Sequence, residues 1–422
     1  MSDLRQVGDC FTARGLLTPA AAAALVTEGL AAIQGTEVVT LDAAAGRILA
    51  EAVVAPRSLP PFDHSAVDGY ALALRPSAEQ ADRFKVVGRV PAGRPMQSEV
   101  APGNAVRIFT GAALPAGCDT VVMQEHAEVA DGFVVPRRSY RAGDNIRLAG
   151  EDVAAGVTIL PEGLLLDARH LALLAASGLS SVVVRRRLRI AVISTGTELR
   201  APGEDLCEGA IYDSNRIMLL ALLRHPAVDL VDGGIIADEG AAIVAAIDRA
   251  ARSADLVVTS GGVSVGEEDL VRSSVEAAGG SLLALRIGMK PGKPLAFGRL
   301  GRAAILGLPG NPLAAMIGFL VVAKPLVSRL VGLSPTGLRI RSAVAGFDRD
   351  VTPGRMEFAP ASIIRNPSPD RPVVDTLGRG GSARLLPLSM ADGFCVIPAD
   401  VQTVRQGDAV GFVPIGDLDL FR

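Results

Sequence analysis

The sequence has no tryptophan, and aromatic residues make up only 4% of its 422 positions. Proteins that bind single-stranded nucleic acid usually stack its bases on aromatic side chains, so this composition argues against that function. The net charge of −3 is close to neutral, and it provides no general attraction to nucleic acid or to anionic lipid. We therefore expect neither a nucleic-acid partner nor a membrane.

Cysteine is also scarce, and no two cysteines form a C-x-x-C pair. The four are Cys10, Cys118, Cys207 and Cys395. This scatter argues against a zinc ribbon and against the disulfide framework of a secreted protein. The first residues, MSDLRQ, lack the apolar segment of a signal peptide. We expect a cytoplasmic protein.

A stretch without charge, residues 303–323, is long enough to be mistaken for a membrane span. Pro309 and Pro312 fall in its middle and would interrupt a spanning helix. A buried strand, a turn and a buried helix explain the stretch better.

Lysine is nearly absent, because only four of the 42 basic residues are lysines. Two of the four, Lys290 and Lys293, lie three positions apart in the stretch KPGKP. A site that keeps lysine in an arginine-rich protein favours a compact point charge. Two ammonium groups on a stiff turn suit a phosphate or another oxyanion, although a solvated surface turn is the simpler interpretation.

The chain is too long for one ordinary core, and changes in its residue pattern predict a multidomain α/β protein. We predict a helical linker domain formed by residues 1–55 and 141–188, with a small β-rich domain inserted at 56–140. Strands and helices alternate over 189–332, which predicts a central α/β domain with a mostly parallel sheet. Residues 333–422 are predicted to form a second small β domain.

Helices in the linker domain are predicted from capping signals and apolar spacing. Thr18 as N-cap and Pro19 in the first turn predict a helix that continues to Ile33. A second helical pattern starts near Leu41. The central domain is predicted to hold strands near 189–194, 230–236 and 256–259, each followed by a helix.

The glycine-rich loop 259–266, TSGGVSVG, follows the last of these strands and precedes a predicted helix. Such a turn presents backbone N–H groups and a helix N-terminus to an anion. Its small residues include Ser260, Gly261, Gly262 and Ser264. The glycines would let a phosphate approach closely and the serines would add hydroxyl donors; an ordinary tight turn is the alternative.

Three predicted strands each end near an acidic residue: Glu198, Asp238 and Asp269. Because the carboxyl ends of parallel strands meet at one edge of a sheet, we expect these carboxylates to form a metal or acid/base cluster there. The acidic run 267–269 would repel a bare phosphate, so a divalent cation is needed in that interpretation. Alternatively, these carboxylates only favour the dipole of the helix that follows.

Two further stretches have structural explanations as well as functional ones. In GLPGNP (307–312), Asn311 as N-cap and Pro312 in the first turn suffice to start a helix, and an anion site is secondary. The polar stretch around His64 and Asp68 is explained by an Asx-turn that leads into a strand.

The motifs taken together resemble the molybdopterin molybdenumtransferases, the bacterial MoeA family that is related to the E domain of gephyrin. The matching segments are PPFDHSAVDGYAL (60–72), RIFTGAALPAGCDTVVMQE (107–125), GDNIRLAGED (143–152), ISTGTEL (193–199), IYDSN (211–215), TSGGVSVGEED (259–269), MKPGKPLAFG (289–298) and GLPGNP (307–312).

The resemblance implies a four-domain homodimer whose central domain has the molybdopterin-binding fold. It implies that the protein binds adenylylated molybdopterin, inserts molybdate at the dithiolene and releases AMP, with Mg²⁺ required. This is the last step of molybdenum cofactor assembly, and a transient contact with the molybdopterin adenylyltransferase is expected.

Residue roles follow from the resemblance together with the loop chemistry above. The expected catalytic residues are Asp68, Thr110, Glu198, Asp238, Asp269 and Lys290. The expected metal ligands are Glu198, Asp238 and Asp269. The expected substrate-binding residues are Ser260, Gly261, Gly262, Ser264, Arg286, Lys293, Pro309, Asn311, Arg355 and Ser382.

Two positions depart from the family pattern: His64 stands where asparagine is common, and Leu270 where tyrosine is usual. Both positions flank expected site residues, so we expect these two departures to affect which ligand the site prefers. Two other functions stay open, a molybdopterin adenylyltransferase and a non-catalytic scaffold. The 180 or so residues ahead of the α/β domain argue against the former, and the lack of a long interaction tail argues against the latter.

Overall fold

The computed structural model describes residues 15–74, 83–262, 270–335, 337–365, 371–378 and 381–421. The chain forms two compact units. The insert unit comprises Val38–Ala45 and Leu49–Val183, and the main unit comprises the remaining described residues.

The helices of the described residues are mostly short. They are α1 (Pro19–Thr27), α2 (Ala168–Ala176), α3 (Ser214–Leu223), α4 (Gly240–Ser253), α5 (Leu270–Ala277), α6 (Pro312–Gly318), α7 (Lys324–Val331) and α8 (Leu385–Ser389). A π-helical segment, Phe319–Ala323, joins α6 to α7. Single 3-10 turns lie at Leu41–Ala43, Gln124–His126 and Ile415–Leu418.

Strands make up much of both units. They are β1 (Thr36–Thr40), β2 (Val53–Val54), β3 (His64–Ser65), β4 (Gly69–Leu72), β5 (Phe84–Val90), β6 (Asn104–Ile108), β7 (Thr120–Met123), β8 (Ala127–Ala130), β9 (Phe133–Pro136), β10 (Ile146–Arg147), β11 (Thr158–Leu160), β12 (Ser181–Arg185), β13 (Leu188–Thr195), β14 (Leu199–Arg200), β15 (Ile211–Tyr212), β16 (Val228–Ile236), β17 (Leu256–Ser260), β18 (Ser281–Arg286), β19 (Met289–Lys290), β20 (Pro294–Leu300), β21 (Ala303–Leu308), β22 (Arg341–Ala345), β23 (Arg349–Asp350), β24 (Met356–Arg365), β25 (Val373–Thr376), β26 (Gly393–Ile397), β27 (Thr403–Val404) and β28 (Ala409–Pro414).

The insert unit contains a six-stranded sheet in the order β7-β4-β6-β5-β9-β8. Its pairings are antiparallel except for β5 with β6. Alternate residues of each strand face opposite sides of a sheet. Ala71 accordingly packs in one apolar cluster and its neighbour Leu72 in another, so both faces of this sheet are covered.

The main unit contains a six-stranded sheet, the central sheet, in the order β16-β13-β17-β21-β20-β18. The first four strands run parallel, and β20 and β18 form an antiparallel edge. Because β18 is antiparallel to β20, which is antiparallel to β21, the chain leaves β18 at the same edge where the four parallel strands end. That edge is the place where α/β proteins bind ligands.

Helices cover the central sheet because its strands are apolar on both faces. Ile243 and Ile247 of α4 and Val271 and Val275 of α5 join one buried cluster with strand residues such as Val257. Helices α3 and α6 pack against β13 and β21 respectively. Both faces of a parallel sheet are normally buried in this way.

One helical stretch, Pro312–Val331, is long and apolar enough to cross a membrane, but 94% of its most apolar window is buried inside the protein. It follows β21 after the turn at Pro309–Asn311, as the sequence predicts: a buried strand, a turn and a buried helix. The stretch is therefore a core helix of the main unit.

The C-terminal part of the main unit forms a closed barrel. Strands β24, β25, β22, β28 and β26 pair in that order, and β24 also pairs with β26, which closes the ring. Strand β19 lies beside the start of β24, with Lys290 paired to Glu357. The lysine-containing turn is thereby attached to the barrel.

The helical predictions for the first part of the chain are partly wrong. Thr18 caps α1 and Pro19 lies in its first turn, but α1 ends at Thr27 because Gly29 interrupts the helical pattern. The helix expected near Leu41 is a single 3-10 turn, since its alanine run stops at Gly46. Much of the described part of 1–55 and 141–188 consists of short strands and loops instead.

Candidate active site

A cavity of about 1030 Å³, the large cavity, lies at the carboxyl edge of the central sheet. Each of the four parallel strands brings residues to it just after the strand ends. These residues include Asp238 after β16, Glu198 after β13, Gly261 after β17 and Gly310 after β21. Its polar lining therefore consists of loop backbone, hydroxyl groups and carboxylates, and apolar side chains such as Leu199, Ile211 and Leu385 line the rest.

Gly261 and Gly262 are required by the backbone at this cavity. Their φ angles are +91° and +66°, values that side chains rarely permit. A Cβ on Gly261 would lie 2.5 Å from the carbonyl oxygen of Thr195, and one on Gly262 would lie 2.5 Å from Val271. Gly261 and Gly262 are thus packed tightly against Thr195 at the end of β13 and Val271 of α5.

Asn215 connects two of these loops from the first turn of α3. Its Nδ2 donates to the Ser260 hydroxyl and to the Gly310 carbonyl, both at 2.8 Å. The side chain is 6% exposed and lines the large cavity. This residue fixes the ends of β17 and β21 relative to each other.

Asp213 anchors the same helix end and is also buried. It caps α3 by accepting from the Arg216 backbone N–H, and it accepts from the Ser194 hydroxyl at 3.1 Å. The Arg216 side chain bonds both Asp213 and Asp232. Arg216 thus pairs with both carboxylates, and this group supports the wall of the cavity. The other carboxylates that line the cavity are those of Glu198 and Asp238.

Glu198 and Asp238 both line the large cavity and are exposed to it. Thr197 donates its N–H to Asp238 Oδ2 at 3.2 Å, and its hydroxyl accepts from the Asp238 N–H at 3.1 Å. The Glu198 carboxylate lies over Gly196. The fold therefore brings together two of the three acidic strand ends that the sequence predicts.

The third expected carboxylate, Asp269, lies outside the described residues, as does Ser264. Within the described residues no group of three His, Cys, Asp or Glu side chains could hold a metal ion. The two described carboxylates nevertheless fit Mg²⁺ chemically, since this ion binds through one or two carboxylates and keeps several water ligands.

A second cavity of about 240 Å³, the small cavity, lies beside the barrel. Its charged and hydroxyl-bearing wall comprises Lys290, Arg349, Glu357, Ser382 and Arg384. Lys290 Nζ donates to Glu357 Oε2 at 3.1 Å, and Arg349 pairs with the other oxygen of Glu357. Three cations and a single carboxylate make this cavity electropositive.

The two cavities share a wall. Ser382 and Arg384 line the small cavity, whereas Ala383 and Leu385 line the large one. Leu313 of α6 lines the small cavity, and its backbone N–H donates to the Ser382 carbonyl at 3.1 Å. A ligand in one cavity is therefore close to a ligand in the other.

The remaining expected cationic residues do not line either cavity. Arg286 ends β18 and is exposed at the carboxyl edge of the central sheet, and Lys293 precedes β20 at the same edge. Arg355 directly precedes β24, two residues before Glu357. The structure thus places Lys290 and Ser382 in the small cavity. Arg286, Lys293 and Arg355 are close in sequence to Lys290 or Glu357, which line that cavity.

Asp68 and Thr110 belong to the insert unit and contact each other. The Thr110 backbone N–H and hydroxyl each donate to Asp68 Oδ1 at 2.8 Å. These two bonds, together with the charge of Arg107, hold the pKa of Asp68 below its usual range. The carboxylate therefore stays ionised at neutral pH.

Asn311 occupies the N-cap position of α6, but its side chain makes no capping hydrogen bond. It is exposed and lines the large cavity, whereas Pro309 is buried in the preceding turn. Of the two departures from the family pattern, Leu270 lines the large cavity, and His64 lies in β3 within hydrogen-bond distance of the Phe62 carbonyl.

Four supporting residues are not identifiable as such from the sequence: Asp213, Asn215, Arg349 and Glu357. The first two lie in the segment IYDSN, where an aspartate before an apolar helix signals an N-cap and hides any further role. No local signal marks Arg349 or Glu357 as part of a site, because Lys290, which shares Glu357 with Arg349, is distant in sequence.

Three family profiles match successive parts of the chain. The MoeA N-terminal region (domain I and II) matches residues 17–178, a probable molybdopterin binding domain matches 191–329, and the MoeA C-terminal region (domain IV) matches 342–415. The second match contains the central sheet and the loops of the large cavity.

Whole-chain relatives agree with these profiles. A molybdopterin molybdenumtransferase of Haemophilus influenzae is 37% identical over 385 residues, covering 91% of this chain and 95% of that protein. Molybdopterin molybdenumtransferase 2 of Mycobacterium tuberculosis is 37% identical over 378 residues, covering 87% and 92%. The crystal structure of the molybdopterin biosynthesis MoeA protein of Pyrococcus horikoshii aligns with a TM-score of 0.79 at 30% identity, covering 94% of this chain and 99% of that one. This chain therefore belongs to the molybdopterin molybdenumtransferase family.

Proposed function

We propose that this protein is a molybdopterin molybdenumtransferase, which binds adenylylated molybdopterin, inserts molybdate at the dithiolene and releases AMP. The observation that carries the proposal is the pair of adjoining cavities. One is large and lined by loop backbone, hydroxyls and carboxylates; the other is small and electropositive. A phosphate-bearing organic ligand and a small oxyanion need sites of these two kinds.

The large cavity suits the adenylylated ligand. Its volume is that of a site for a ligand of drug size or larger. Gly261 and Gly262 allow a phosphate to approach the backbone, and Ser260 and Asn311 supply polar groups at two strand ends. Ser264 is proposed to add a hydroxyl to the loop that follows β17, and Pro309 to shape the turn that presents Asn311.

The small cavity suits molybdate. Lys290 and Arg384 supply cations, and Ser382 supplies a hydroxyl donor. Arg286, Lys293 and Arg355 are proposed to add positive charge around the oxyanion on its way to the dithiolene.

Mg²⁺ is proposed to bind at Glu198 and Asp238, with Asp269 as a third ligand. When bound, it would neutralise the phosphoanhydride and stabilise the charge on departing AMP. The Thr197 N–H orients Asp238 and leaves its other oxygen available. No protein nucleophile is required, because positioning of the two substrates supplies much of the catalysis.

Asp68 and Thr110 are also proposed as catalytic residues, as the family resemblance implies. The two hydrogen bonds that Thr110 donates orient the Asp68 carboxylate and favour its ionised form, as a ligand-binding carboxylate requires. We further propose a cytoplasmic homodimer, a transient contact with the molybdopterin adenylyltransferase, and the four domain boundaries given above.

An assay of AMP release distinguishes the proposed function from two others, a scaffold and an adenylyltransferase. Purified protein with adenylylated molybdopterin, molybdate and Mg²⁺ should release AMP. Binding of the adenylylated ligand without release of AMP would favour a scaffold. Formation of that ligand from ATP and molybdopterin would favour an adenylyltransferase. Parallel reactions with tungstate would establish which oxyanion is preferred, and Asp269→Asn should abolish turnover.

A further inference from the structure

Glu357 is a buried carboxylate that contacts two cations in the small cavity. Its side chain is only 7% exposed, whereas the Lys290 side chain is 45% exposed. Lys290 and Arg349 bind different oxygens of the carboxylate, and all three residues line the cavity. Both oxygens are therefore occupied by cations of the chain itself.

These three residues come from separate elements. Lys290 ends β19, Glu357 lies beside it in β24, and Arg349 begins β23. Two like charges in one small cavity repel each other, and a lysine with a flexible four-carbon stem can turn its ammonium toward water. A carboxylate bound to both cations cancels this repulsion and restricts where the ammonium can lie.

The charge balance of the cavity leaves room for an anion. Lys290, Arg349 and Arg384 oppose the single carboxylate of Glu357, which leaves an excess of two positive charges. A doubly charged oxyanion would neutralise that excess. The carboxylate thus reduces the repulsion among the cations without abolishing their attraction for a dianion.

We propose that Glu357 is a positioning residue that holds Lys290 and Arg349 so that both contact one bound oxyanion. The identification of that oxyanion as molybdate rests on the proposed function. Glu357 itself does not touch the anion and acts through the two cations.

The direction in which Glu357→Gln changes the affinity for the anion distinguishes a positioning role from a purely electrostatic one. Glu357→Gln removes a negative charge and makes the cavity more positive, which by itself would strengthen anion binding. It also frees Lys290 and Arg349 from their shared partner, which weakens binding if their positions matter. The proposal therefore requires weaker binding in spite of the gain in positive charge.

The test uses the full-length protein and molybdate alone, measured by titration calorimetry. We expect Glu357→Gln to weaken molybdate binding about tenfold or more, as loss of a supporting contact typically does. Glu357→Asp keeps the charge but is one methylene shorter, so it should restore part of the affinity. Asp417→Asn is the matched control, since Asp417 pairs with Arg341 at 3.2 Å and does not line the cavity.

Equal or tighter binding by Glu357→Gln would overturn the proposal, as would wild-type protein that binds no molybdate. Equal weakening by Asp417→Asn would point to a general structural defect and would also overturn it. AMP release gives the second readout: in Glu357→Gln the KM for molybdate should rise while that for adenylylated molybdopterin stays constant. Wild-type protein that binds molybdate but releases no AMP would contradict the proposed function alone, because the binding comparison would still stand.

Discussion

The two cavities are built in different ways, although they share a wall. The large cavity consists of loops that each follow a parallel strand, so short stretches of sequence such as Ser260–Gly262 determine its local structure. The small cavity depends on pairing between residues far apart, such as Lys290 with Glu357. The sequence motifs therefore predict the large cavity, whereas the small cavity exists only where the barrel meets the turn at Lys290.

The backbone contributes most to the structure of the large cavity, whereas side chains contribute most to that of the small cavity. Gly261 and Gly262 shape the large cavity through their φ angles and their lack of Cβ atoms. In the small cavity the ion pairs of Glu357 with Lys290 and Arg349 hold charged side chains of the wall in place. Substitutions in the two places should consequently fail in different ways.

The largest effect is expected at the carboxylates of the large cavity. Asp238→Asn and Glu198→Gln should each reduce AMP release at least about 100-fold, because each removes a proposed ligand of Mg²⁺. Asp229→Asn is the control, since Asp229 is exposed near the start of the same strand, β16. Unchanged AMP release in Asp238→Asn would remove this carboxylate from the mechanism.

Backbone packing is tested by two glycines that differ in their surroundings. Gly203 and Gly261 have similar φ angles, +96° and +91°, but a Cβ on Gly203 meets nothing within 4 Å. Gly203→Ala should cost about 1 kcal/mol of unfolding free energy from the positive φ alone. Gly261→Ala should cost about 3 kcal/mol, because overlap with the Thr195 carbonyl is added. Equal costs in urea unfolding would show that the loop relaxes freely.

Lys290→Gln should affect the substrate of the small cavity and leave the substrate of the large cavity unaffected. Loss of one charge-assisted hydrogen bond to the oxyanion should raise the KM for molybdate about tenfold. The KM for adenylylated molybdopterin should not change, because Lys290 does not line the large cavity. Lys85→Gln, an exposed position on β5, serves as control. A parallel rise in both KM values would contradict the separation of the two sites.

The smallest effect concerns Asp68, whose partner Thr110 is also distant in sequence. Hydrogen bonds from Thr110 lower the pKa of Asp68, so the folded state favours the charged form. The resulting stability is fully present above the ordinary aspartate pKa, about 3.9, and is lost as the pH falls through the lowered value. Thr110→Val should move the Asp68 pKa back toward its ordinary value in a carbon-13 NMR titration. An unchanged pKa would assign the shift to the backbone N–H.

The predictability of the elements follows the same division. The strands predicted near 189–194, 230–236 and 256–259 correspond to β13, β16 and β17. Strands β13 and β17 are nearly continuous buried apolar runs, as buried parallel strands usually are, whereas the edge strand β16 is mostly exposed or half-buried. The helix predicted near Leu41 is wrong, since an alanine run of one turn cannot sustain a helix without tertiary support. Strand β18 was not foreseen, because its residues alternate weakly and its partner β20 alone defines its register.

The residues of the candidate site were also only partly predictable from the sequence. Glu198 and Asp238 could be placed at one sheet edge because parallel strands were predicted to end there, and the structure puts both in the large cavity. Their proposed roles remain predictions. Asn215 could not be recognised, because its contacts to Ser260 and Gly310 require three chain segments to meet.

By itself, the sequence determined the family, the α/β rhythm of the central part, and the glycine, serine and carboxylate chemistry of the strand ends. These properties depend on periodicity and on residue types that lie close together along the chain. Only the tertiary structure decided that Glu357 pairs with both Lys290 and Arg349, and that Ser382 contributes to the wall between the two cavities. Ion pairs and hydrogen bonds between distant segments form only after the fold has brought those segments together.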